Sequence, residues 1–508
     1  MKFIPYFFCL FIMSCNQTST SPSSIQLSTS PENIKDTISE KNPKKKRYLQ
    51  ADIEIILDDS LITDWHDFYY TMPLQNGKKI ILSEQKKWYP AIFIYKKDTV
   101  KVKIKHHGSS PLHYYDSIYS FSIKYKDING FKKRLKLIKG KEANPAIIFE
   151  NYMGQKNALI ASSGEMKMLS FNKNPASFYY IVDDIKQDFL IDNFSFSESC
   201  ILKQTSDWTR KEKINYENSH WSTLDFFIGH IEHDDSPYFS KALLRYEKLI
   251  EHHKKKLSIE QFFSAHYVSN FLALASLNND QHFFTGDNLK LIYNNNNNKF
   301  YPIYRPESIG YLPGEYIDSS FMFFDQYLFN SNQESYKEAP FNSIFQTLLS
   351  SDYIRNLRNQ LLYKLFQEKA NIIHIKDSII MANKDVMESV NKHEKFAYNK
   401  AIKEQNKKIK FIFSKFEKYI KYCHIYGTYY VYSKTLKLQI DNYSSVDILL
   451  KGTEVKKNYF GISYSTKLKQ FNNTLKIKNV KNLNDIIFIN AITKDTIKKS
   501  IYINKIYK

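Results

Sequence analysis

The sequence predicts an α+β protein: a β-rich stretch, then a helical stretch, then a small all-β sandwich. Three observations predict it. Apolar and polar residues alternate in several runs between positions 51 and 190. Apolar residues recur at helical spacing over 222–277 and again over 340–424, and short alternating runs return after Gly427. A period of two lines one face of a strand, and a period near 3.6 lines one face of a helix.

The elements follow in order. Residues 52–57, 100–105 and 120–125 alternate as half-buried strands do. Residues 144–161 are expected to form a helix between strands, and 178–182 a further strand. Ser258-Ile259-Glu260-Gln261 has the form of a capping box, and Ile259, Phe262, Phe263, His266, Tyr267, Phe271 and Leu274 then mark one helical face. Residues 289–293 and 300–304 are expected to pair as a hairpin turned by the asparagine run 294–298. Amphipathic helices are expected around 355–366 and 409–421, and sandwich strands at 436–440, 446–450 and 486–489. The last module is expected to fold separately from the body.

The chain opens with Lys2, an apolar run over 3–13, and Ile12-Met13-Ser14-Cys15. The run is short of the ~20 residues a membrane-spanning helix needs, but has the length of a signal-peptide core. Its end resembles the bacterial lipobox. That resemblance implies cleavage before Cys15, acylation of Cys15, and anchoring through two or more buried chains. Residues 16–48 are polar and lysine-rich, with Lys44-Lys45-Lys46-Arg47 near their end. Such composition is expected to stay disordered and to serve as a tether. The basic run is expected to be solvated, with contact to anionic head groups as the alternative. The expected organisation is a signal peptide (1–14), a disordered tether (15–48), a β-rich region (49–190), a helical region (191–425) and the β-sandwich (426–508). The expected location is the cell envelope, on the bacterial outer membrane.

Hydrophobic content of 43% allows sizeable cores, and no later segment has transmembrane length without charges. Lys and Arg number 73 against 52 Asp and Glu, a balance that would suit acidic partners. The charge is spread along the chain with no evident basic stripe, and no nucleic-acid motif is present, so a nucleic-acid partner is not expected. Of four cysteines, Cys200 and Cys423 remain in the body, where export would permit a disulfide. The pairs His106-His107 and His252-His253 are expected at the surface.

Chemistry concentrates in 278–310, where a helix end is followed by Asp280, Asn288, a hairpin and then Glu307 beside Gly310. Phosphoryl transfer needs an Asp beside the attacking hydroxyl, with an Asn and a carboxylate holding divalent metal against the phosphates. The order here meets that need. With it come Lys103-Ile104-Lys105-His106-His107-Gly108-Ser109-Ser110, Ser122-Ile123-Lys124, a segment over 180–190 containing Asp183, and Ile201-Leu202-Lys203.

This ordered set resembles the spore-coat protein H (CotH) type of secreted atypical kinase, over roughly residues 95–425. The resemblance implies a kinase-like two-lobed body, with ATP and Mg or Mn as cofactors and Ser or Thr of a surface protein as substrate. It implies that Asp280 receives the hydroxyl proton and that Asn288 and Glu307 hold metal. Lys124, paired with Asp183, would position phosphate, and Lys105 and Gly108 would belong to the covering strand and loop. Two departures stand out. Arg305 replaces the first acidic residue of the family's Trp-Asp-x-Asp, and Asp183 replaces a Glu. A cation in the metal position predicts weak or lost activity. The alternative is a non-catalytic surface binding protein on the same scaffold, recognising ligands through the C-terminal module. Arg305 and Glu307, two apart, are expected on one face, with Tyr304 and Pro306 on the other.

Overall fold

The computed structural model describes residues 51–71, 74–75, 78–79, 85–95, 98–108, 119–126, 130, 132–139, 145–204, 231–232, 236–255, 257–278, 289–306, 343–384, 392–461, 463–465, 468–470, 474–498 and 501–507. The expected signal peptide, the tether and Cys15 lie outside the described residues. No described helix is long and apolar enough to cross a membrane. Tyr48–Lys508 forms one compact unit of mixed α+β structure.

The β-rich part is a closed barrel. Its elements are β1 (Ile53–Leu57), α1 (Asp59–Thr71), a short hairpin of β2 (Leu74–Gln75) and β3 (Lys78–Lys79), β4 (Tyr89–Tyr95), β5 (Asp98–His106), β6 (Phe121–Lys126), β7 (Lys132–Ile138), α2 (Pro145–Lys156), β8 (Gly164–Phe171) and β9 (Ser177–Asp183). The barrel order is β1-β4-β5-β6-β7-β9-β8. The parallel pairing of β1 with β8, Ile53 opposite Leu169, completes the ring and leaves no edge to template aggregation. Alternate residues fill the interior: Ile53, Ile55, Val102, Ile104, Phe121, Ile123, Leu137, Tyr179 and Ile181 are all buried in one cluster. α1 contributes Trp65 and Phe68 to that core.

One expected surface residue belongs to this core. The His106 ring lies between Trp65 and Phe68, with centroids 3.8 and 4.5 Å away in stacked geometry. The adjacent pair divides as strand alternation requires: His106 points inward, and His107 is half-buried beside the Ser122 hydroxyl. Burial, with Lys86 nearby, pushes the His106 imidazole down to about 3.

β9 is buried on both faces. Tyr179 and Ile181 face the barrel interior, while Phe178, Tyr180 and Val182 pack outward against Ile147 of α2 and Tyr398 of a later helix. A strand covered on both sides loses its alternation and reads as a continuous apolar run.

Beyond the barrel come α3 (Gln187–Phe194), β10 (Ser199–Gln204), β11 (Ile231–Glu232), α4 (Phe239–Lys254), α5 (Ala265–Asn278), β12 (Lys290–Asn294), β13 (Lys299–Pro302), α6 (Ser343–Ser350), α7 (Asp352–Gln367), α8 (Lys369–Ala382) and α9 (Lys392–Ile420). A four-stranded antiparallel sheet, β11-β10-β12-β13, packs with these helices around one large core. The expected capping box does not start α5. Ser258 accepts the Glu260 N–H at 3.4 Å, residues Glu260–Phe262 make a single tight turn, and the helix proper begins at Ala265. The expected hairpin forms as β12 and β13, but β13 stops at Pro302. Beyond it, Tyr304 makes an isolated parallel bridge to Ala161, its N–H donating to the Ile160 carbonyl at 2.9 Å.

Tyr267 of α5 fixes this junction. Its hydroxyl accepts from the Ile160 N–H at 3.0 Å and donates to the Pro302 carbonyl at 2.7 Å. A buried phenol satisfied at both ends ties the loop after α2 to the end of β13.

The last part holds β14 (Cys423–Tyr430), β15 (Thr435–Asn442), β16 (Val446–Leu450), β17 (Thr453–Tyr459), β18 (Ser463–Ser465), β19 (Leu468–Gln470), β20 (Leu475–Ile477), β21 (Ile486–Asn490) and β22 (Ile501–Ile506). Two sheets, β20-β15-β14-β22 and β17-β16-β21, share a core of their own, built from Ile425, Leu436, Leu438, Val446, Ile448 and Phe488. Polar contacts join it to the helices. Asn359 donates to the Tyr443 carbonyl at 2.9 Å, Ser445 to Asn356 at 2.6 Å, and Asn490 to the Ile420 carbonyl at 2.6 Å. Cys200 and Cys423 are both reduced thiols, buried in two different cores.

Candidate functional site

The outward face of β5, β6 and β7 is a sheet of cations. β5 carries Lys101, Lys103 and Lys105 at alternate positions, β6 carries Lys124 and Lys126, and β7 carries Arg134 and Lys136. The register aligns them: Lys103 lies opposite Lys124, Lys124 opposite Arg134, Lys105 opposite Ser122, and Ser122 opposite Lys136. Residues paired across antiparallel strands share a face and sit about 5 Å apart. The even spread of charge expected along the chain is therefore corrected: closing the barrel gathers it into one basic face. No single strand carries enough of these residues to reveal the face in the sequence. Trp88, just before β4, braces one end, with the Lys124 ammonium 3.9 Å and the Lys105 ammonium 4.9 Å from its ring centroid.

At the Lys105–Lys136 end this face meets the seam with the second sheet. Lys136 pairs there with Asp184 at 2.7 Å, both side chains only 16% exposed. The Asp184 N–H donates to the Arg134 carbonyl at 3.1 Å, which seats it beside β7. Burial would raise its carboxyl, but Lys136, Lys186 and Lys290 more than offset that and hold it well below the usual carboxylate range. Across the seam Lys290 of β12 lies opposite Lys203 of β10. Burial drives the Lys290 amine far down, and Lys136 and Arg305 push the same way. Burial also lowers Lys105, with Lys186 adding to it, and Lys186, where Asp184 works in the opposite direction. Several part-buried cations thus share one described carboxylate, an arrangement that favours an anion entering among them.

The expected partners do not pair. Lys124 is committed to Trp88, while the Asp183 carboxylate accepts from the Ser163 hydroxyl at 2.5 Å. Burial raises Asp183, and the Ser163 hydroxyl and Lys133 partly counter it. Strand parity explains the correction. Odd positions 179 and 181 enter the barrel core and even positions 180 and 182 leave it, so Asp184, not Asp183, reaches the outward face where Lys136 stands. Gly108 follows β5 with φ +76°, a left-handed conformation suited to glycine, and its carbonyl accepts from the Lys86 ammonium at 2.6 Å. Ser109 and Ser110, expected to complete that loop, lie outside the described residues.

Asp280, Asn288 and Glu307 also lie outside the described residues. Arg305 is described. It is half-buried and within electrostatic reach of Lys290, while the neighbouring Tyr304 is fully buried and its hydroxyl accepts from Asn278 at 2.6 Å. Among the described residues no group of three or more His, Cys, Asp or Glu converges as a metal site. A separate cavity of about 500 Å3 in the C-terminal part is lined by residues including Asp352, Lys456, Lys457, Tyr459 and Phe460, and by none of the expected site residues.

Sequence reasoning missed Lys136, Asp184, Lys186, Lys290 and Trp88. Only the parity of β9 carried a signal for Asp184. No family model fits the chain, and no curated protein is similar to it at a significant level.

Proposed function

We propose that this protein is a lipid-anchored cell-envelope protein on a kinase-like, two-lobed scaffold of the CotH type. The barrel and the second sheet with its helices would be the lobes, and the seam between them would bind the phosphates of ATP. The carrying observation is the crowd of cations, Lys105, Lys136, Lys186 and Lys290, around Asp184. Phosphate oxygens would supply the negative charge that the described residues lack there. Phosphoryl transfer to Ser or Thr of a surface protein would further need Asp280 at the hydroxyl and metal on Asn288 and Glu307. The described part of the seam suits phosphate better than a divalent cation, because Arg305 is a cation, an anion nearby would favour the protonated form of Lys290, and Asp184 is already paired. The reading is accordingly one of nucleotide binding with weak or lost transfer.

A second reading, a non-catalytic binding protein, is favoured by the open face of the C-terminal sheet. Tyr426 and Tyr502 stack side by side, 5.5 Å apart, and are 44% and 57% exposed. Gln439 lies opposite Tyr426 in the register. A flat aromatic pair beside polar side chains is a surface on which a ligand ring can stack.

Thermal unfolding of residues 48–508 with ATP, with and without Mn, separates the two. The nucleotide reading expects ATP to raise Tm without Mn and expects Lys290→Met to abolish the rise. No ATP-dependent shift in the intact protein under either condition rejects it.

A further inference from the structure

We infer that the outward face of β5, β6 and β7 docks on an anionic bilayer surface, giving the protein an electrostatic hold on the membrane distinct from any lipid anchor. Lys101, Lys103, Lys126 and Arg134 are exposed there, clear of the seam. They form a two-dimensional array, about 5 Å between strands and about 7 Å along each strand. The array covers the outside of a closed barrel. A convex array matches a plane of head groups, whereas a linear polyanion is better held by a groove.

Two more observations choose the membrane as occupant. First, the register places the start of the folded chain at this edge: Ile53 of β1 lies opposite Tyr95, and Tyr95 opposite Asp98 at the start of β5. Lys101 is three residues further along, a distance of about 10 Å. β1 therefore begins near the cationic array, and in the sequence it is preceded by the basic run Lys44-Lys45-Lys46-Arg47. Second, Ile92 lies opposite Lys101 on the same face and is 38% exposed. An apolar side chain beside lysines suits the boundary between head groups and acyl chains.

The inference does not depend on nucleotide binding. Its test uses the compact unit Tyr48–Lys508, which carries no acyl anchor, in the absence of ATP. Sedimentation is measured with vesicles of phosphatidylglycerol and phosphatidylcholine at roughly one to two, and with phosphatidylcholine alone. The protein is expected to sediment only with the anionic vesicles and to come off as salt shortens the Debye length. Lys101→Ala, Lys103→Ala and Lys126→Ala together are expected to weaken binding roughly a hundredfold. Lys476→Ala, Lys478→Ala and Lys481→Ala together, on exposed positions of the C-terminal module, are expected to leave it unchanged. Equal losses from the two triples, equal binding to neutral vesicles, or tight binding of soluble polyphosphate with no sedimentation would each overturn the assignment.

Discussion

Lys136 and Asp184 meet at 2.7 Å on the barrel side of the seam with the second sheet, and the pair is asymmetric in what surrounds it. Lys186 and Lys290 also act on Asp184, while Lys136 is one cation among several. Asp184→Asn should therefore cost more stability than Lys136→Met. Leaving buried charge uncompensated costs about 3 kcal/mol or more, whereas removing one cation from a crowd relieves repulsion. Urea unfolding of both variants checks the order, and added phosphate should restore part of the Asp184→Asn loss. Equal costs would show that cation crowding does not govern the site.

His106 predicts a pH dependence. Its folded value, about 3, lies below the ~6.5 of an unfolded histidine. Between those values the unfolded chain binds the extra proton. The stability this residue contributes is thus fully present above ~6.5 and falls as pH drops toward 3. Between pH 7 and pH 4 the loss should be roughly 3 kcal/mol. His106→Phe, which keeps an aromatic ring between Trp65 and Phe68, should remove that part of the acid sensitivity. Stability measured by denaturant at both pH values tests it, and parallel curves for variant and wild type would exclude the explanation.

At Gly154 of α2 an added Cβ would come within 2.6 Å of the Tyr304 ring and 3.0 Å of Ala161. Tyr304 is fully buried and hydrogen-bonded, so it has little room to yield. Gly154→Ala is expected to cost about 1–3 kcal/mol, despite alanine's better helix propensity. An increase in thermal stability would mean that the junction relaxes freely.

Arg305 gives the prediction closest to function. A dication ~4 Å from its guanidinium would be repelled by on the order of 8 kcal/mol at an effective dielectric of 20. Arg305→Asp should therefore gain a Mn-dependent component in its thermal response to ATP. A Mn response matching that of wild type would end the idea that Arg305 excludes metal.

How much of this was legible in the sequence differs from element to element. Strands 52–57 and 120–125 were readable because alternate, apolar residues of each fill the barrel core. The hairpin of β12 and β13 was readable from its asparagine turn. The α5 start was misplaced because the Ser258 contact serves only the single turn Glu260–Phe262, and the helix that carries Tyr267 begins at Ala265. At the candidate site, motif resemblance selected Asp183, one residue from the carboxylate that faces the cations. A one-residue offset on a strand reverses the side chain. The basic face was hidden because Lys103, Lys124 and Arg134 become neighbours only through pairing of three strands.

The two buried thiols carry a practical consequence. Cys200 sits in the core beneath the second sheet, and burial pushes the Cys423 thiol up to about 12, with Asp441 adding to the effect. A thiolate is the reactive form, so almost none is available at Cys423 at neutral pH, and Cys200 is shielded by full burial while its core stays closed. Each thiol then becomes a clock for its own neighbourhood. Alkylation at Cys423 times the opening of the terminal sheets, and alkylation at Cys200 times the opening of the helical body. The same chain thus reports whether those two parts breathe together or apart, with no label added.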